Sequence, residues 1–212
     1  MVVASFGRDL YLRHFNSTVW TLLHGTEPGS QVFWSADSRS FGFRTAGAQF
    51  RVMRMRVPDG VPEFVRQTNL FGRGADWNAR DQILVAARGL HIGPAGGGTE
   101  VELLPYADPQ GLLEPTWPHF LPDGEHFIFS AYDLKQAEGS AQGRGIYLAA
   151  WRDGQWKLRP TRLKTNSNEA RYSALHDGCL LFLQNDNLPI SEALPSSGVS
   201  RNFSPFFPVT SA

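Results

Sequence analysis

Four aspartates recur in similar surroundings and are the residues of this chain most able to do chemistry: Asp37, Asp81, Asp123 and Asp177. Placed at one position of a repeating unit, four carboxylates fall on a common ring, where they could hold a cation or line a ligand site. The same residues have a plainer use. An Asp side chain accepts hydrogen bonds from backbone N–H groups just ahead of it, and Gly124 and Gly178, which follow two of the aspartates, tolerate positive φ. Each Asp therefore reads first as a turn residue.

Other constellations give less. There is no Gly-x-Ser-x-Gly elbow and no Gly-x-x-x-x-Gly-Lys-Ser/Thr phosphate loop, so the usual serine hydrolase and P-loop signals are missing. The run Gly93-Pro94-Ala95-Gly96-Gly97-Gly98 could cradle an anion, but it lies between two strand candidates and precedes no helix, which favours a hairpin turn. His14, His24, His91, His119, His126 and His176 are scattered, without a His-x-x-x-His pair to support a metal. Cys179 is the only cysteine, so an internal disulfide is excluded, and its apolar run Cys179–Leu183 suggests a small buried residue. Arginine supplies 17 of the 20 basic residues, and Arg51, Arg54 and Arg56 in one strand could meet an anionic partner or stand solvated beside nearby acids. No catalytic, cofactor-binding or metal-binding residue is assigned, and no cofactor is expected.

The elements that would position these residues follow from composition. Of 212 residues, 42% are hydrophobic and 19% charged, which is globular rather than disordered. The 21 Gly and 14 Pro exceed the usual share, so the chain turns often and an all-β fold is expected. Twenty basic residues balance 20 acidic ones, which argues against a nucleic-acid partner. No apolar run approaches the length of a membrane span, and residues 1–10 carry no secretory signal pattern; the compartment stays open.

A repeat organises the chain. Residues 33–43 place an aromatic pair before an Asp turn and an alternating apolar strand, and residues 119–129 repeat that order; residues 76–85 give it one residue shorter. The anchors Trp34, Trp77 and Phe120 are each 43 residues apart, and a fourth copy over 173–182 follows a polar, Gly-rich insertion at 133–145. Each copy reads as a β-hairpin followed by two further strands, Phe50–Val57 and Val61–Gln67, then Gly89–Gly93 and Thr99–Leu104, then Ile146–Trp151 and Trp156–Leu163. Four short strands per 40–45 residues is the pattern of a β-propeller blade, in which Trp34, Trp77, Phe120 and also Trp117 and Trp151 would pack between sheets.

The stretches Gly25-Thr26-Glu27 with Phe33 to Phe43, and Trp117 to Phe127, resemble the TolB-type, WD-repeat-like propeller motif. Their order is similar to the propeller that follows the kinase domain in some bacterial serine/threonine protein kinases. The resemblance covers about residues 10–184 and implies an all-β propeller of four-stranded antiparallel blades. About four blades are expected, three whole (31–68, 74–105, 117–163) and two half (10–23, 170–184), with 185–212 an irregular, loosely ordered tail. An arc of a larger propeller is favoured over a closed four-bladed ring joined from the two halves. The resemblance also implies a non-enzymatic scaffold or sensor that binds a protein partner or small ligand within a larger bacterial protein, with self-association through open blade edges. Kinase motifs are not found in these residues. The alternatives are the access-gating propeller of a prolyl-oligopeptidase-type serine peptidase, or a TolB-like periplasmic interaction protein.

Overall fold

A computed structural model of the chain describes residues 1–45, 50–68, 73–109, 111–133, 144–165, 167–173, 179–184 and 189–193. The insertion expected within 133–145 and the fourth turn, with Asp177 and Gly178, lie largely or wholly outside them. Among the described residues eighteen strands form five antiparallel sheets, each drawn from consecutive strands. The first sheet is β1 (Val2–Phe6), β2 (Asp9–Arg13) and β3 (Thr21–Leu22), and the second is β4 (Gly29–Trp34), β5 (Ser40–Thr45), β6 (Phe50–Arg56) and β7 (Glu63–Thr68). The third holds β8 (Ala75–Trp77), β9 (Gln82–Ala86), β10 (Gly89–Pro94) and β11 (Val101–Pro105). The fourth holds β12 (Leu112–Phe120), β13 (His126–Asp133), β14 (Arg144–Arg152) and β15 (Gln155–Thr165), and the fifth β16 (Ser167–Ser173), β17 (Cys179–Gln184) and β18 (Pro189–Ala193).

Two strands add to the half blades read in the sequence. The first sheet has three strands rather than two, because Val2–Phe6 pairs with β2 across a two-residue turn in which Gly7 has φ 67°. The last sheet also has three, since Pro189–Ala193, expected in an irregular tail, pairs along β17 from Leu183↔Pro189 to Cys179↔Ala193. Alternation of apolar and polar residues is weak in both segments, and pairing was decided by the backbone of the neighbouring strand.

The chain divides into two compact units, residues 1–108 with 114–118, and residues 109–113 with 119–212. In the first unit the alternation of β5 and β6 fixes two cores on opposite faces of the second sheet. Phe41 and Phe43 join Met55 and Val57 against Leu10, Leu12 and Leu23 of the first sheet and the residues beside it. Phe33, Val52 and Val65 meet Ala75, Trp77, Ile83 and Val85 of the third sheet. In the second unit, Leu121, Ile128, Ile146 and Leu148 pack on Ala170, Leu180 and Phe182. A period of two gives the second sheet two adhesive faces, each buried Phe or Leu contributing about 1.5–3 kcal/mol.

One glycine is required by this packing. Phe33 pairs across the sheet with Gly42, and a Cβ built there would lie 2.1 Å from the Phe33 ring. Because Phe33 is itself buried, the ring has nowhere to retreat. Gly42→Ala is expected to destabilise the chain by about 1–3 kcal/mol through overpacking, measured by urea denaturation.

Candidate functional site

The recurring turns are the candidate site, and the structure gives their chemistry turn by turn. In the second sheet, Asp37 Oδ1 accepts from Arg39 N at 3.0 Å and from the Ser35 hydroxyl at 2.7 Å. Ser35 Oγ in turn accepts from Ser40 N at 3.0 Å, and its proton also has Ser40 O within reach at 2.8 Å. The Ser35 hydroxyl and then the Arg39 N–H hold the Asp37 carboxyl below its ordinary value.

The third sheet distributes these roles differently. Asn78, not Asp81, holds the turn: its Oδ1 accepts from Arg80 N at 3.1 Å and Gln82 N at 2.9 Å. Asp81 instead takes the left-handed position with φ 59°, where Ser38 (φ 56°) and Gly124 (φ 67°) stand in the neighbouring copies. The backbone bonds prove the equivalence, since Ser38, Asp81 and Gly124 donate N–H to the carbonyls of Ser35, Asn78 and Leu121. The Asp81 carboxylate accepts from the Trp77 indole N–H at 3.0 Å, securing the buried anchor from outside. Asp37 and Asp123 therefore share one structural position, which Arg80 holds in the third sheet, and Asp81 stands one place further along; the one-residue shortening of this copy falls after the left-handed residue.

In the fourth sheet, Asp123 Oδ1 accepts from Glu125 N and His126 N, both at 2.9 Å, and Oδ2 lies 2.5 Å from His126 Nδ1. Burial alone would raise Asp123, but the hydrogen bonds from the His126 ring and the two N–H groups outweigh it and hold the carboxyl down. The Asp123 hydrogen bond raises His126 against an opposing effect of burial. Glu125 bonds the Arg152 guanidinium at 2.7 Å, tying this turn to the end of β14. His126 was read in the sequence as one of six scattered histidines; its placement three residues after the turn Asp is the signal that would have singled it out.

The anchors behave alike. Trp34 packs against the core shared with the first sheet, and Trp77 is buried in the core shared with the second, so each faces the preceding sheet. Phe120 lies edge-on to Phe127 at 6.1 Å, on the face of its sheet opposite Leu121 and Ile128. Trp151 packs edge-on to Trp156 at 5.2 Å. Cys179, expected buried, is half-buried, because the side chains of Leu180 and Phe182 take the core face of β17. Arg51 and Arg56 are exposed, while Arg54 pairs with Glu63 at 2.7 Å and donates to Ala95 O at 3.2 Å. The Gly-rich run forms the β10–β11 connection, as a turn should, with Gly97 N donating to Pro94 O at 3.2 Å.

Sequence reasoning missed two features. Arg44 and Arg66 are buried between sheets: Arg44 donates to Gln31 Oε1 at 2.9 Å, and Arg66 donates to Ile83 O at 3.2 Å with Glu100 3.6 Å away. Burial disfavours the charge of both, and Glu100 offsets this at Arg66. The second is a repeated kink. Gln31, Gly74, Trp117 and Glu169 each have positive φ, and each stands three residues before Trp34, Trp77, Phe120 or Tyr172 in the first strand of its sheet or the segment leading into it. Among the described residues no group of three His, Cys, Asp or Glu side chains is placed to hold a metal ion.

These sheets and turns define a β-propeller. No protein family matches the sequence, and no curated protein does. Solved structures do match by shape. TolB from Acinetobacter baumannii aligns with TM-score 0.61 at 11% identity, over 86% of this chain and 48% of that one. Oligogalacturonate lyase from Vibrio parahaemolyticus aligns with TM-score 0.60 at 10% identity, over 90% and 61%. The β-propeller domain of the Trilobed protease from Pyrococcus furiosus aligns with TM-score 0.52 at 10% identity, over 86% and 63%. The fold is thus that of a β-propeller, and the chain spans about half to three-fifths of the length of these structures.

Two outcomes are expected from the turns. Asn78→Ala costs about 1–2 kcal/mol by leaving two N–H groups without their acceptor, whereas Asp81→Gly shifts stability by less than about 0.5 kcal/mol, because relief of the left-handed backbone offsets the lost indole bond. Paired chemical denaturation curves check the order. The Asp123–His126 pair sets a pH window. His126 is raised above 6.5, so its contribution is full below about 6.5 and is lost as pH rises through the higher folded value. Asp123 is lowered below 3.8, so its contribution is present above about 3.8 and is lost as pH falls through the lower folded value. The stability difference between the natural chain and His126→Gln is therefore expected to be greatest near pH 5 and smaller near pH 8.5, read from Tm at both.

Proposed function

We propose that this chain is a non-enzymatic β-propeller module, a scaffold or sensor that binds a protein or small ligand as part of a larger bacterial protein such as a receptor-type serine/threonine kinase. The observation that supports it is how the turn side chains are used. Asp37 and Asp123 accept from the N–H groups of their own turns, and Asp81 accepts from Trp77, so these carboxylates are occupied in holding loops in place rather than presented to a substrate. Rigid strands carrying fixed loops suit recognition, because little ordering entropy remains to be lost on binding.

A second reading has one observation in its favour, the likeness to the Trilobed protease propeller domain, and makes this chain the access-gating propeller of a serine peptidase. A TolB-like role in protein contacts outside the cytoplasm is the third.

The test combines binding with turnover. A thermal-shift screen of the full chain against oligosaccharides, peptides and nucleotides is expected to give a saturable rise in Tm for one class, about 2.7 kcal/mol of stabilisation at a hundred times Kd. Incubation with p-nitrophenyl esters and with oligogalacturonate is expected to give no turnover above buffer. Turnover that an active-site-directed inhibitor abolishes would overturn the non-enzymatic reading.

A further inference from the structure

We infer that Trp117 is the stacking platform of a binding site for a neutral carbohydrate, with Arg73 and Glu114 beside it to meet the sugar hydroxyls, a proposal that rests on the binding-module reading and names its ligand class.

Trp117 stands in β12 at φ 52°, a backbone conformation that is a true outlier for a side chain of this bulk. The kink itself does not require a tryptophan. It recurs at Gln31, Gly74 and Glu169, and ahead of the third sheet it is filled by glycine, the residue that adopts a left-handed backbone most readily. A bulky side chain kept at such a position against its backbone preference points to a use for that side chain. For Gln31 the use lies inside the protein, since its Oε1 accepts from the buried Arg44 at 2.9 Å. Trp117 has no comparable internal duty.

The surroundings of Trp117 show what it offers. Its indole rests on Gly74, where an added Cβ would lie 3.1 Å from Trp117 Cε3 and 2.9 Å from its Cα, and both residues belong to the first compact unit, as does Glu114. Trp117 N donates to Arg73 O at 2.6 Å, so these two residues lie side by side. Trp77, by contrast, is buried and its indole N–H is bonded to Asp81. Trp117 is only part-buried, and its indole N–H has no hydrogen-bond partner among the described residues and is not enclosed. Arg73 is exposed and enters no ion pair among the described residues. Glu114, three residues before Trp117 in the same strand, is part-exposed, and its carboxylate likewise has no partner among them.

Shape and charge select the ligand. An apolar ring with an N–H at its rim matches the C–H face of a pyranose, which is apolar on the face and polar around the edge. One guanidinium and one carboxylate sum to zero, so the site favours neither an anion nor a cation, while together they supply donors and acceptors for hydroxyl groups. A purely apolar ligand would cover both charged groups and leave them without partners. A sugar ring satisfies the three residues at once.

Titration of the full chain with glucose, galactose, mannose and xylose, and with their β-linked trisaccharides, tests this by tryptophan emission and by Tm. A saturable change in emission and a rise in Tm are expected with at least one neutral sugar. Trp117→Gly is expected to weaken that binding at least about tenfold. The same variant is expected to move the Tm of the sugar-free chain by less than about 4 °C, because relief of the left-handed backbone offsets the packing lost on Gly74. Arg73→Ala, which leaves the bonded backbone carbonyl in place, and Glu114→Gln are each expected to weaken binding at least about fivefold. Where Trp117→Gly melts far lower than the natural chain, these two variants decide. Absence of saturation with every neutral sugar, binding of glucuronate or AMP alone, or affinity unchanged in a folded Trp117→Gly or in both of the other variants overturns the proposal. The binding-module reading is judged separately: it stands if another class of ligand raises Tm, and it falls on turnover in the enzymatic assays.

Discussion

Burial of sheet faces against neighbouring sheets is the constraint on which the rest of this structure depends. A four-stranded blade of five or six residues per strand has too little apolar surface to hold itself together, and it gains stability by stacking. The second sheet shows the solution: Phe41, Phe43 and Met55 serve one neighbour while Phe33, Val52 and Val65 serve the other. Gly42 belongs to the same solution, since its missing side chain is the space in which the Phe33 ring lies. Arg44 and Arg66 are the exceptions, and each is kept tolerable by a carbonyl, amide or carboxylate within reach.

Turn chemistry is the second level. Each hairpin needs one left-handed residue and acceptors for the N–H groups that the turn turns outward, and the three described copies meet that need with different residues. Ser35 with Asp37, Asn78 alone, and Asp123 alone do the accepting, while Ser38, Asp81 and Gly124 take the positive φ. Conserving the geometry while exchanging the residues is what physical chemistry predicts, because Asp, Asn and Ser oxygens can all accept from the backbone, and Gly, Asp and Ser can all stand in the left-handed region at modest cost. The Asp123–His126 pair adds a titratable histidine to the fourth-sheet turn, one of the three described.

Loops fixed by their own side chains join the short strands, and the propeller likeness to proteins as different as TolB and a lyase shows that the fold by itself selects no chemistry.

The repeat and the strand count of the middle sheets were legible in the sequence, because a period of two and a spacing of 43 residues between Trp34, Trp77 and Phe120 are local signals that survive without a structure. What the sequence by itself determined is therefore an all-β propeller segment with aromatic anchors behind polar turns. Only the tertiary structure decided that Val2–Phe6 and Pro189–Ala193 are strands, since edge strands of weak alternation take their conformation from the backbone beside them. It also decided that Asn78 rather than Asp81 holds the third-sheet turn, because Asn78 stands where Ser35 stands and Arg80 takes the place of Asp37 and Asp123, so the acceptor comes from the start of the turn. The burial of Arg44 and Arg66 and the exposure of Phe6 have the same origin: whether a face is covered depends on the neighbouring sheet, and that neighbour is far away in sequence.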